Sequence, residues 1–227
     1  MSGYGHELPT QVAEVLAATE IPQSKLGATR CARLDDSERE LYFWILRRFA
    51  THGRPTSAEV LAAGESLGLD ALKAVETLAR EDLVHLDENG QVAVAYPFSG
   101  RPTAHQVRFQ NGHQAHAMCA IDALGIAAMF DQPIEIVSTD PLAGDDVRAH
   151  LSAQGEGTWE PASSVVVAGV SERSDDSFRG CCPVLNFFAS NENGERWLEQ
   201  HPGVRGQVVS MPEAIAAGRA VFGDVFR

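Results

Sequence analysis

Apolar positions recur with two different periods along the chain, and the change of period divides it. From residue 35 the period is helical. "DDSERELYFWILRRFATHG" opens on acidic and serine capping residues, carries Leu41, Trp44, Ile45 and Phe49 at 3.6-residue spacing and ends at Gly53. "PTSAEVLAAGESLG" predicts a second helix, entered through Pro55 with Thr56 or Ser57 as cap, and "DALKAVETLAREDLV" a third. "LVHLDENGQVAVAYP" then alternates around "DENG", the signature of a β-hairpin. Three helices and a hairpin predict a winged helix-turn-helix-like domain over residues 35–96. Before it, "LPTQVAEVLAAT" predicts a helical arm within residues 1–34, broken at Gly27. After it, "PFSGRP" predicts a turn-rich linker over 97–102.

Residues 103–227 mix the two periods. "AHQVRF", "IEIVST", "SSVVVAGV", "VLNFFAS" and "GQVVS" are β-branched or alternating and predict strands. "GERWLEQHP" and "MPEAIAAGRAVFGDVF" predict helices, and a further helix is expected from about Gln114 to Phe130. "DDVRAHLSAQGEG" reads as a polar excursion between strands. The expected fold class is α+β, with the winged-helix-like domain followed by a mixed α/β catalytic domain built on a small sheet.

Charge narrows the function. The chain has 227 residues and a formal net charge of −13. Within residues 1–100, fifteen acidic side chains face nine basic ones. The third helix, where a winged helix would read DNA, carries Asp70, Glu76, Glu81 and Asp82 against Lys73 and Arg80, the wrong sign for a phosphate-lined groove. The domain is therefore expected to pack or interact, not to bind nucleic acid. No apolar run reaches the roughly 18–20 residues of a membrane span. The N-terminus lacks the basic and apolar regions of a secretory leader, so a cytoplasmic protein is expected.

The chemistry concentrates at the cysteines: Cys31, Cys119, Cys181 and Cys182. "NGHQAHAMCAID" brings His113, His116, Cys119 and Asp122 together at three-residue steps. Positions i and i+3 share a helix face, so Asp122 can take a proton from the Cys119 thiol and later return it. A helix N-terminus also favours thiolate. The same spacing fits a core cysteine, since cysteine is among the most buried residue types. It also fits a metal strip, although steps of three drift by about 60° on a helix and four ligands converge poorly. His113, next to "NG", is expected in a turn. Adjacent cysteines at the start of a strand send their side chains to opposite faces, so one of Cys181 and Cys182 is expected to meet Cys119 and the other to face away. Two thiols and a carboxylate suit a soft, thiophilic metal.

"AMCAIDALGI" and "CCPVLNFFAS" together resemble the two signature segments of the organomercurial lyase (alkylmercury lyase) family, and an N-terminal winged-helix-like domain is also similar to that family's. The resemblance spans nearly the whole chain. It implies carbon–mercury bond protonolysis to a hydrocarbon and Hg(II), with Cys119 and Cys181 as mercury ligands and Asp122 as proton carrier. Cys182 is the adjacent thiol that some members carry, here expected to point away from Cys119; Asp122 and Cys182 remain further candidate mercury contacts. One departure is plain: members commonly carry another, structural cysteine after the catalytic helix, and "VSTDPLAGDD" has none. The resemblance implies no organic cofactor, an organomercurial substrate, cytosolic thiols to remove the product ion, and a mercuric reductase as acceptor. Two other readings compete: a soft-metal-binding homologue without catalysis, and a metal-responsive winged-helix regulator. Asp122 favours catalysis, because storage needs thiols but no proton donor. Against the regulator, gel-shift titration with duplex DNA is expected to give no salt-dependent complex, and a shifted band weakening steeply with salt would reinstate it.

Overall fold

The computed structural model describes residues 10–19, 24, 26–171 and 182–226. Helix α1 (Thr10–Ala18) is followed by a short α2 (Gly27–Cys31), then α3 (Asp36–His52), α4 (Ser57–Ser66) and α5 (Ala71–Arg80). Local chemistry sets these boundaries. Asp35 and Glu38 form a reciprocal capping box on α3, and Thr56 and Glu59 form another on α4. Asp70 accepts from the Lys73 backbone at the start of α5. Gly27 begins a helix instead of ending one. A Cβ there would lie 2.6 Å from Val225, so glycine lets α2 press onto the C-terminal segment.

The hairpin is present as β1 (Val84–Leu86) antiparallel to β2 (Val92–Ala95). It does not stand apart. Phe98–Ser99, inside the expected linker, forms β3, which pairs with β2 on one side and β5 (Gln114–Ala117) on the other. The sheet continues through β4 (Gln106–Phe109), β6 (Ile134–Thr139), β7 (Asp146–Leu151) and β8 (Gly157–Glu160), giving eight strands in the order β1-β2-β3-β5-β4-β6-β7-β8. It is thus not a small sheet. Two corrections account for the difference. Gln114–Ala117 is strand, not the first turn of a helix, because Ala115 and Ala117 are buried with period two and Ala115 registers against Val107. The "DDVRAHL" excursion is also strand, with Val147, Ala149 and Leu151 facing inward.

A second, three-stranded sheet has β9 (Val165–Ser171) between β10 (Asn186–Phe188) and β11 (Val204–Ser210). Helices α7 (Asn191–Gln200) and α8 (Met211–Phe222) complete the described residues. One core runs from α1 to the C-terminal segment. A satellite of Val167, Val184, Phe188 and Trp197 lies on the other side of the small sheet. This is a mixed α+β protein with antiparallel sheets. No helix among the described residues is long and apolar enough to cross a membrane.

Helix α6 (Ala120–Phe130) is apolar on nearly every face and lies against α8, β5, β6 and β10. Its closest crossing is made of glycine. A Cβ on Gly125 would lie 2.6 Å from the Gly218 carbonyl oxygen, and one on Gly218 would lie 2.8 Å from the Gly125 nitrogen. Both obstacles are backbone, so neither can rotate away. Gly218→Ala is expected to force α6 and α8 apart and to cost about 1–3 kcal/mol in urea unfolding; a variant as stable as the parent would mean that the crossing is loose.

Candidate active site

The site forms where β5 ends and α6 begins. Cys119 is not inside the helix. It is the N-cap, with extended backbone (φ −153°, ψ 178°), and its sulfur accepts from the Asp122 backbone N–H at 3.4 Å. A thiol thus fills the place usually taken by a serine, threonine or aspartate oxygen. The Cys119 thiol in turn donates to Asp122 Oδ2 at 3.0 Å. The pattern is reciprocal but differs from a capping box, because the carboxyl accepts from the cap's thiol and not from its backbone N–H.

The third member is Cys182. Its thiol donates to the same Asp122 Oδ2 at 3.9 Å, and ligand atoms of Cys119, Asp122 and Cys182 all lie within 4.8 Å of one another. All three side chains are buried: Cys119 is 1% exposed, Asp122 6% and Cys182 6%. The expectation that Cys182 faces away from Cys119 is therefore corrected. Cys182 lies in a turn ahead of β10, not within the strand, so strand alternation does not govern its direction. Cys181, the thiol the family resemblance pointed to, lies outside the described residues. The two sulfur-bearing segments are tied directly, since the Ala120 N–H at the start of α6 donates to the Leu185 carbonyl at 2.9 Å.

Burial dominates the electrostatics. Loss of water raises the Asp122 carboxyl from its ordinary value to about 7, opposed in part by the bond from Cys119, the positive charge of Arg30 and the bond from Cys182. The group is poised near neutrality, able to exist as either acid or base. Arg30 comes from α2 and is 7% exposed. It donates to the Asp82 carbonyl, pairs with the Asp82 carboxylate at 3.2 Å and lies over the Tyr96 ring. Tyr42 on α3, fully buried, donates to the Tyr96 carbonyl at 2.7 Å. Helix α2 thus contributes to the site's field through Arg30. The sequence offered no signal for Arg30, whose segment reads only as a broken helical arm.

The histidines do not join the cluster. His113 sits in the β4–β5 turn with Nε2 against the Phe49 carbonyl at 3.0 Å, which requires that nitrogen to donate. His116 is on β5, where its Nδ1 accepts from the Thr103 N–H at 3.2 Å. Asp140 is a supporting residue that sequence reading missed. It is 1% exposed, and its Oδ1 accepts from the Leu142 and Ala143 N–H groups at 2.8 and 3.1 Å. Its Oδ2 accepts from the Ala189 N–H and Asn193 side chain at 2.9 and 2.7 Å. These bonds pin the end of β6 to the "FFAS" segment, and the turn signal "TDP" was its only trace in the sequence.

Fold and site define a class: an α+β enzyme with a buried dithiol–carboxylate centre suited to a soft metal. The family model for alkylmercury lyase (MerB) matches residues 98–223. The chain belongs to the alkylmercury lyase family. It is 30% identical over 170 residues to the alkylmercury lyase of Bacillus cereus, covering 71% of this chain and 76% of that one. To the alkylmercury lyase of Staphylococcus epidermidis it is 29% identical over 201 residues, covering 86% and 89%. The fold is similar to the crystal structure of the mercury-bound form of MerB2, with a TM-score of 0.70 at 18% identity, covering 96% of this chain and 100% of that one.

A raised carboxyl pKa carries a cost in stability with a defined sign. Between the ordinary carboxylate value and about 7 the folded state holds the Asp122 proton that the unfolded state releases. Stability therefore falls as pH rises through that window. Asp122→Asn removes the titration and is expected to gain stability over the parent, little at pH 4 and up to about 4 kcal/mol at pH 8. Urea unfolding of both proteins across that range checks this, and parallel pH profiles would rule out a raised pKa.

Proposed function

We propose that the chain cleaves carbon–mercury bonds by protonolysis, with Cys119 and Cys182 as the mercury ligands and Asp122 as the proton carrier. The observation that supports this reading is a single buried carboxylate oxygen within reach of two thiols. A storage site would need the thiols alone.

The substrate arrives as a thiol adduct, R–Hg–SR′. The Cys119 sulfur displaces the external thiol, and Asp122 relays the cysteine proton to the departing thiolate. Cys182 then gives its proton to Asp122 and adds to mercury as thiolate. Mercury(II) prefers two soft donors in a line, so the extra thiolate weakens the carbon bond. The bonding pair stays with carbon, which takes the proton held by Asp122, and R–H leaves. The balance is R–Hg–SR′ plus two cysteine thiols giving R–H, R′SH and a mercury(II) bis-thiolate, with mercury divalent throughout. A dry site keeps the Asp122 acid protonated until carbon needs it. External thiols then displace the ion and restore both cysteines, and a mercuric reductase is the acceptor this chemistry calls for. The dependence on thiols fits the reducing cytoplasm, and no organic cofactor takes part.

The three helices and hairpin of the N-terminal half serve in this reading as a winged-helix-like packing unit. Ion pairs within and onto this unit support it: Arg48 with Glu59 and Arg54 with Asp87 inside it, and Arg30 and Arg33 from the preceding segment with Asp82 and Glu81.

Incubation with phenylmercury and excess thiol, with benzene detected, tests the activity. Cys119→Ser and Cys182→Ser are each expected to abolish turnover, while Cys181→Ser retains most of it; the reverse result within the pair would give the second-ligand role to Cys181. Asp122→Asn is expected to bind inorganic mercury(II) yet release benzene at least about a hundredfold more slowly. Wild-type turnover in that variant would remove Asp122 from the chemistry.

A further inference from the structure

The Cys182 thiol needs support, because its turn lies outside any sheet ladder, yet two sulfurs must stay at chelating distance. One end of the segment is held by the Ala120–Leu185 bond to α6. The other is held by a side chain. Asn186, the first residue of β10, reaches back and donates through Nδ2 to the Pro183 carbonyl at 2.9 Å, one residue from Cys182. Asn186 is itself held, since β10 registers it against Val167 of β9. His105 is 3% exposed, meets Ser138 Oγ through Nδ1 at 2.9 Å and packs edge-on against Phe187 at 5.7 Å. Burial pushes the imidazole down to about 4, so it stays neutral at physiological pH and its bonds do not change there. Ser138 is on β6, in the middle of the large sheet.

We propose that Asn186 is the positioning residue of the second thiol, bracing the Cys182 turn from β10 through its bond to the Pro183 carbonyl, with β10 seated on the large sheet where Phe187 packs against His105. The inference rests on the reading above that Cys182 ligates mercury. Asn186 touches neither substrate nor metal. It fixes the distance from Cys182 to Cys119, which decides whether one ion can take both sulfurs. Loss of the brace should leave capture by Cys119 intact and impair the two-thiolate step.

The test uses full-length Asn186→Ala, Asn186→Gln, Cys182→Ser and the double variant Asn186→Ala/Cys182→Ser. Retention of mercury(II) is titrated against 2-mercaptoethanol through the thiolate–mercury absorbance, and benzene release from phenylmercury gives kcat and KM. Asn186→Ala is expected to surrender mercury to less competing thiol and to lose between about tenfold and a hundredfold in kcat, with little change in KM. Asn186→Gln keeps the amide donor on a longer stem and is expected to recover part of both; it also supplies the reading should the alanine variant not fold. In the Cys182→Ser background, Asn186→Ala should weaken mercury retention no further, since the brace then holds nothing. Wild-type retention and kcat in both Asn186 variants would overturn the proposal. So would an equal loss of mercury retention on adding Asn186→Ala to Cys182→Ser, which would mark a general structural role. If Cys182→Ser alone behaves as wild type, the ligand assignment itself has failed.

Discussion

A carboxyl group kept out of water between two thiols is the constraint on which the structure turns. Asp122 is the third residue of α6 and sits where helix N-terminus, Arg30 and thiol donors all favour the anion. Burial outweighs them and holds the group near neutrality. Neither influence alone would serve. In the proposed protonolysis an exposed aspartate would be a permanent anion with no proton to give, and a carboxyl stripped of its donors would hold its proton too firmly to act as a base. Burial on nearly every side goes with an α6 that is apolar on nearly every face and that α8 approaches through glycine.

The same constraint assigns work to parts of the chain remote from the cysteines. The eight-stranded sheet ends one strand just before the N-cap, and Ser138 on β6 bonds His105, which leads into β4 and packs against Phe187. The three-stranded sheet presents the Cys182 turn, and Asp140 ties it to β6 through the Ala189 backbone. The N-terminal helices are joined to this frame through the Phe49–Phe98 stack at 5.7 Å, the His113–Phe49 bond and the Tyr42–Tyr96 bond. They bring a buried cation toward the site. Residues 98–223 carry the family match, whereas the electrostatic environment of Asp122 also draws on Arg30 of α2.

Features governed by neighbours within one helical turn were legible in the sequence. The capping boxes of α3 and α4, the hairpin around "DENG", most of the strands and the pairing of Cys119 with Asp122 all rest on residues a few positions apart. The reading failed where distant partners decide. "QAHA" has no decisive local period; pairing with Val107 and the neighbouring β3 makes it a strand and moves the helix start to Ala120. "DDVRAHL" looks polar until β6 and the core select one face. The direction of Cys182 depends on a turn tied to α6 by the Ala120–Leu185 bond, and the proton affinity of Asp122 on burial by distant elements, opposed by the charge of Arg30 about ninety residues away. Sequence alone determined which atoms could do the chemistry, because thiol and carboxyl are fixed by residue type and local spacing. Tertiary structure brought the Cys182 thiol to the carboxyl and decided how strongly that carboxyl holds its proton, because direction and desolvation arise only when separate segments pack together.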